Sequence, residues 1–355
     1  MWRREHGATG VRVVRRDGAR TCSESVLAFD EEARHVEPGS NPEYETDRVR
    51  LGYTSLVTPL SVYDHVLETG ARVLQKRQPV LGGYDPSRLV SAREWATAAD
   101  GVSIPISLVR LRDTPVDGSA PLVLVGYGAY EMSTDPWFSI PRLSLLDRGV
   151  VLAMAHVRGG GEMGRAWYTD GKLAHKHRSF SDFAACADHL VDRGYAAPAR
   201  VAARGGSAGG LLVGAAVNLR PSRFRAVVAE VPFVDPVNTL LDASLPLTQP
   251  EWEEWGDPRL AQEYAWIRAY APYENLRAEP YPRMLVTAGL NDPRVGFWEP
   301  AKWVAALRET TTGHEPILLK TEMGAGHLGP SGRYDAWRDE ALVLAFLLDA
   351  LGVHA

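Results

Sequence analysis

Apolar and polar positions change rhythm once along the chain. Up to about residue 79 the apolar residues fall in short alternating or β-branched runs: VRVVRRDG, SVLAFDEE, RVRLGYTSLVT, SVYDHVLETG and ARVLQKR. Turn signals such as DG and ETG separate them, and no helical period of useful length appears. The pattern predicts one or two small antiparallel sheets over residues 1–79, too little for a separate barrel. Beyond SAREWATAADG (residues 91–101) the texture differs. Continuous apolar runs, PLVLVGYG, GVVLAMAHV, RAVVAEVP, RMLVTAG and PILLKTEM, alternate with helical segments. Unbroken apolar runs suit strands buried on both faces, and strand–helix alternation predicts a mainly parallel sheet covered by helices over residues 80–355. Chemistry in such sheets sits at the carboxyl ends of the strands.

Two glycine loops leave strand ends. GGGEMG (Gly159 to Gly164) satisfies G-x-G-x-x-G after the strand GVVLAMAHV. A dinucleotide fingerprint must also open a helix and be followed, about 20 residues on, by an acidic residue at a strand end. Here RAWYTDGKLAHKH follows, and Asp182 falls near a helix start, so these glycines read as tight backbone turns under a site. The second loop, GGSAG (Gly205 to Gly209), fits G-x-S-x-G. The strand RVAA enters it and the helix AGGLLVGAAVNLR leaves it until Pro221. That setting suits a nucleophile elbow. Taken alone, the pentapeptide suits a bare glycine-rich bend equally well.

Partners decide between the two. A serine hydroxyl needs a base to become a nucleophile, and in this fold the order is Ser, Asp or Glu, then His. Of the histidines after Ser207, His354 is next to the C-terminus and His314 precedes a strand, at its wrong end. His327, in MGAGHLGPSG, follows the strand PILLKTEM. For the acid, Asp292 follows RMLVTAG, with Asp235 one strand earlier as competitor. Asp292 would orient His327 and stabilise its imidazolium. Oxyanion donors are expected from the backbone N–H of Ala208 and from the loop LVGYGAYE, where Tyr127 is either a hydroxyl donor or a core aromatic.

Composition narrows the class. The 355 residues carry a net charge of −5, which argues against a nucleic-acid partner. No run reaches the roughly 18 apolar residues of a membrane span, and MWRREHGATG lacks the apolar core of a signal peptide. Cys22 and Cys186 have no metal or redox spacing, and Cys186 reads as a buried thiol on one helical face. The expectation is a cytoplasmic protein without cofactor or metal.

The segments GYGAYE, RLSLLDRGVVLAMAHVRGGGEMG, RGGSAGGLLVG, VPFVDPVNTLLD, EWEEWGDP and LNDPRVGFWEPAKWVAALRE together resemble the prolyl oligopeptidase family, in its oligopeptidase B branch, across residues 80–350. The resemblance implies an α/β-hydrolase fold and a serine peptidase that cuts short peptides after Arg or Lys through Ser207, Asp292 and His327. It makes Tyr127 the oxyanion tyrosine and Arg294 a contact to the substrate backbone. Glu251 and Glu253 become the carboxylates that meet the basic side chain; read alone, EWEEW is a solvated acidic helix face. A second acidic pair of the family maps onto Asp135 and Trp137, so one of its carboxylates is a tryptophan here. Residues 1–79 resemble only the last portion of the family's β-propeller. The resemblance therefore leaves three readings: a peptidase without its gate, an ungated esterase, or an inactive part that needs a partner chain carrying the remaining blades.

Overall fold

The computed structural model describes residues 1–353 apart from Ala19; His354 lies outside the described residues. Strands β1 (Trp2–Glu5), β2 (Ala8–Asp17) and β3 (Arg20–Val26) form one antiparallel sheet. A second antiparallel sheet runs in chain order through β4 (Arg34–Pro38), β5 (Arg48–Ser55), β6 (Ser61–Val66) and β7 (Arg72–Arg77). A four-stranded meander is the unit of a β-propeller, and these two sheets are the propeller remnant. The Trp2 indole N–H donates to the Val36 carbonyl (2.6 Å), and the Val36 N–H donates to Thr9 Oγ1 (2.6 Å), tying one sheet to the other.

The remaining strands are β8 (Leu89–Thr97), β9 (Ser103–Leu111), β10 (Leu122–Gly126), β11 (Val151–Ala155), β12 (Val201–Gly206), β13 (Ala226–Glu230), β14 (Arg283–Gly289) and β15 (Ile317–Glu322). They form one sheet in the order β15–β14–β13–β12–β10–β11–β9–β8. From β11 to β15 all pairings are parallel, while the β8–β9 hairpin joins antiparallel at one edge. The helices are α1 (Leu143–Leu146), α2 (Arg165–Thr169), α3 (His177–Asp192), α4 (Ala208–Leu219), α5 (Pro236–Leu241), α6 (Thr248–Trp255), α7 (Ala261–Tyr270), α8 (Trp298–Thr310) and α9 (Arg333–Ala350). Helices α3, α4 and α8 cover one face, α1 and α9 the other.

Strand β12 shows why its sequence is apolar without alternation. Val201 and Ala203 point into the α3–α4 core, and Ala202 into the α1–α9 core, all fully buried. Strand order reverses at β10, which has β11 on one side and β12 on the other. Loops leaving these two neighbouring strands diverge to open a crevice. Cys186 is buried in α3, and burial pushes its thiol well above the ordinary value. Among the described residues no helix is long and apolar enough to cross a membrane.

Candidate active site

Ser207 stands between β12 and α4 with φ 57° and ψ −119°, a conformation that side chains other than glycine adopt only under strain. The elbow is held by backbone: the Ser207 N–H donates to the Glu230 carbonyl (2.8 Å), and its carbonyl accepts from Phe233 (3.2 Å). Its glycines are steric necessities. A Cβ at Gly205 would sit 2.1 Å from the Gly209 carbonyl oxygen, and one at Gly209 2.6 Å from that of Gly126. Ala208 is the first residue of α4, so its N–H is among those a helix leaves without an internal acceptor. One turn of chain before the serine, Arg204 is pinned by Glu230 (2.8 Å) and Glu340 (2.6 Å), which fixes the end of β12 to α9.

Asp292 and His327 leave the ends of β14 and β15 and meet. His327 Nδ1 lies 2.7 Å from Asp292 Oδ2. Asp292 Oδ1 accepts from the backbone N–H groups of Arg294 (2.8 Å) and Val295 (3.0 Å). Burial alone would raise the Asp292 carboxyl, but these three hydrogen bonds outweigh it and hold it below its ordinary value. The competitor Asp235 is engaged elsewhere, buried against the Lys302 ammonium. Among the described residues His327 makes no hydrogen bond to Ser207, a limb that often closes only around a substrate.

The loop after β10 supplies the second wall. Tyr127 lines a cavity of about 500 Å³ together with Ser207, Ala208 and Asp292. Its phenol is raised by burial and by the nearby Glu251 carboxylate, against a lowering contact with the Ser207 hydroxyl. Tyr130 and Glu131 follow in left-handed conformations (φ 60° and 57°). Gly159 to Gly161, in the first of the two glycine loops, back this segment. A Cβ on Gly159 would lie 2.2 Å from the Gly128 carbonyl oxygen, and one on Gly161 2.2 Å from that of Glu131. Asp182, the acidic residue of the rejected nucleotide reading, pairs with Arg158 (2.6 Å) inside the protein.

The remaining sequence-derived positions separate. Glu251 lines the cavity, and its Oε2 accepts from the Tyr130 hydroxyl (2.6 Å) and the Trp255 indole N–H (2.7 Å). Burial raises its carboxyl above the ordinary value. Glu253 is not brought there: its side chain is 81% exposed and lies 3.5 Å from Lys172. Both residues sit on α6, and positions i and i+2 of a helix face different directions. Arg294 lines the cavity mouth, exposed and without a carboxylate partner among the described residues. Asp135 is also absent from the cavity. Its buried carboxylate takes Arg4 (2.6 Å and 3.0 Å) and His35 (3.0 Å) from the N-terminal sheets, so it braces the two parts of the molecule.

Several residues here escaped sequence reasoning. Tyr130, three residues after Tyr127, orients Glu251. Glu254 and Trp255 share a face of α6 with Glu251, as the i, i+3, i+4 spacing would have shown. Lys176, within the polar run GKLAHKH, is wholly buried and reaches both the Gly128 carbonyl (2.6 Å) and Glu254 (3.2 Å).

Known proteins resemble this chain along nearly its whole length. The chain is 47% identical over 352 residues to "Protease 2" of Moraxella lacunata, covering 99% of this chain and 50% of that protein. It is 49% identical over 351 residues to "Dipeptidyl aminopeptidase BI" of Pseudoxanthomonas mexicana, covering 99% and 48%. The fold superimposes on oligopeptidase B from Trypanosoma brucei, solved with covalently bound antipain, with a TM-score of 0.93 and 42% identity. That match covers all of this chain and 51% of the other. The chain thus spans about half the length of the relatives it matches. The model of the prolyl oligopeptidase family matches residues 136–354, and with relatives this similar the chain belongs to that family.

Proposed function

We propose that this chain is a serine peptidase acting on short peptides, with Ser207, His327 and Asp292 as its triad and Arg or Lys before the scissile bond. The observation that carries the reading is the convergence on one cavity of a serine held at φ 57°, an aspartate engaged with a histidine, and a buried carboxylate at Glu251. Ser207 Oγ attacks the amide carbonyl carbon as His327 Nε2 takes its proton. The Asp292 carboxylate holds the Nδ1–H and stabilises the imidazolium without itself taking the proton. Negative charge on the carbonyl oxygen is met by the Ala208 N–H and the Tyr127 hydroxyl, each such donor being worth about 2.7–4 kcal/mol. The imidazolium then protonates the departing amine, and water attacks the acyl-enzyme by the same route in reverse.

The basic preference rests on Glu251. Its Oε2 is occupied by Tyr130 and Trp255, which leaves Oε1 for a substrate cation. Phe233, Leu240, Val295 and Trp298 supply apolar wall for the aliphatic stem of that side chain. Because the carboxyl is raised by burial, cleavage of basic substrates should fall as pH drops through a value above 4.5, while ester cleavage without a basic group should not share that limb.

A second reading concerns the unit formed by residues 1–79. β3 and β7 are edge strands exposed along their whole length, with Val26, Val73 and Leu74 open to solvent. Unpaired edges of this kind accept further strands, which supports a partner chain carrying the other blades. A monodisperse monomer in gel filtration would count against it.

The test of function uses the 355-residue chain with an arginine amide, a proline amide and a simple ester of an apolar acid. Cleavage of the arginine amide, lost in Ser207→Ala and lowered about 30- to 1000-fold in Glu251→Gln, is the expected result. Ester cleavage alone would replace the peptidase with an esterase.

A further inference from the structure

The mechanism above leaves one buried charge unused. Lys176 precedes α3 and is 1% exposed. Its ammonium donates to the Gly128 carbonyl (2.6 Å), inside the loop that carries Tyr127 and Tyr130. The same nitrogen donates to Glu254 Oε1 (3.2 Å) and stands 4.6 Å from the ring centre of Trp255, both on α6. Trp255 in turn donates to Glu251 and to the Tyr130 hydroxyl, at 2.7 Å and 3.1 Å. A buried ammonium is costly to desolvate unless its donors are met, and here the acceptors belong to two separate walls of one cavity.

We propose that Lys176 is a positioning residue that fastens the tyrosine loop to the helix of Glu251, so that a single buried cation sets the oxyanion donor and the substrate-cation acceptor together. The inference rests on the functional reading of Tyr127 and Glu251 given above. Nothing in it requires Lys176 to touch substrate. Both hydrogen bonds run through groups that cannot move independently: the carbonyl of a glycine in a left-handed turn (φ 71°), whose Cβ would strike Val157 at 2.6 Å, and a carboxylate buried on α6. Loss of the ammonium frees the Gly128 carbonyl on one side and removes the buried cation beside Glu254 on the other. The two walls then drift separately.

The charged groups around Lys176 are few. From α6 come Glu254 and, behind Trp255, Glu251; from the preceding segment Lys172 acts on Lys176 itself and Tyr168 faces Glu254, as Tyr270 does from α7. Burial lowers the Lys176 ammonium to about 8, against the opposing pull of Glu254. The fastening therefore predominates at neutral pH and is lost as pH rises through about 8.

The experiment compares the full chain with Lys176→Met and with Lys176→Met/Glu254→Gln. The double variant removes the neighbouring carboxylate as well and so separates lost positioning from lost stability. For the double variant we expect kcat to fall about 10- to 100-fold on both the arginine amide and the ester, because both use Tyr127. KM should rise on the arginine amide alone, because only it uses Glu251, and the alkaline limb near pH 8 should vanish. A double variant with wild-type kcat, or with KM unchanged on the amide, overturns the proposal. Amide hydrogen exchange supplies a readout that needs no turnover. Residues 127–132 and 248–255 should both exchange about tenfold faster in the double variant than in the wild type; faster exchange in only one segment, or in neither, also overturns it. A wild-type chain silent on every substrate would defeat the functional reading, while exchange would still decide the coupling.

Discussion

The two parts of this molecule are held by different forces. The eight-stranded sheet is sealed on both faces by continuous apolar packing, with Leu211, Leu212 and Val213 of α4 on one side and Leu347 of α9 on the other, all essentially without exposure. Among the described residues the N-terminal sheets share a core of their own of four buried residues, Val11, Val36, Leu51 and Tyr53. Two kinds of contact join them to the larger part: polar ones, Arg4 and His35 on Asp135, the Phe138 N–H on Thr54 Oγ1 (3.1 Å) and Arg93 on the His6 carbonyl (2.9 Å), and an apolar one, in which Ala33, Leu56 and Val57 share a buried cluster with Val109, Leu145 and Leu152. Hydrophobic burial is indifferent to pH, whereas ion pairs are not. The contrast teaches that the N-terminal sheets, with less apolar core of their own, depend more on the Asp135 ion pairs than the eight-stranded sheet does on any single pair.

The sharpest break in that contrast is Leu212→Ala, which opens a cavity beneath the elbow. It should cost about 3–5 kcal/mol and lower the main melting transition of the whole chain; a shift confined to the N-terminal sheets would refute the apolar account. Asp135→Asn should act the other way round. The Asp135 carboxyl is held at about 2 despite its burial, by hydrogen bonds from His35 and Arg4, and that displacement corresponds to about 2 kcal/mol. Asp135 contributes this in full above pH 3.8 and loses it as pH falls toward 2. His35 is raised by the same carboxylate, so its share is full below pH 6.5 and is lost as pH rises through its folded value. Hydrogen exchange over residues 1–38 should therefore be slowest between about pH 4 and 6.5, after correction for intrinsic rates, and the minimum should disappear in Asp135→Asn. The smallest effect belongs to Glu253→Gln. Its exposed pair with Lys172 should shift stability by less than about 0.5 kcal/mol and cleavage of an arginine amide by less than about twofold.

What the sequence discloses follows from the range of each interaction. Strands β10, β11, β13 and β14 coincide with unbroken apolar runs because both of their faces are largely buried, and the elbow is legible because Gly205 is demanded by Gly209, four residues on. Asp292 and His327 can be read as a pair because each follows one of two consecutive apolar strands, β14 and β15, that lie side by side in the sheet. Asp135 behaves differently: its partners Arg4 and His35 come from another sheet, and no local spacing announces them. The same holds for Lys176, a buried cation inside a run that reads as solvated. Glu253 was a question of rotation. A motif written as a line sets it beside Glu251, and a helix turns it away.

The order of strands in the sheet also has a consequence for biosynthesis. Ser207 emerges with the centre of the sheet, yet the proposed acid and base hang from β14 and β15, the last two strands, of which β15 is the outermost. During translation the elbow exists for a long interval as a hydroxyl with no proton acceptor. On the proposed triad, a nascent polypeptide lacking the final strand carries the nucleophile without its base, and the proposed reaction becomes available only when the closing edge of the sheet has been laid down.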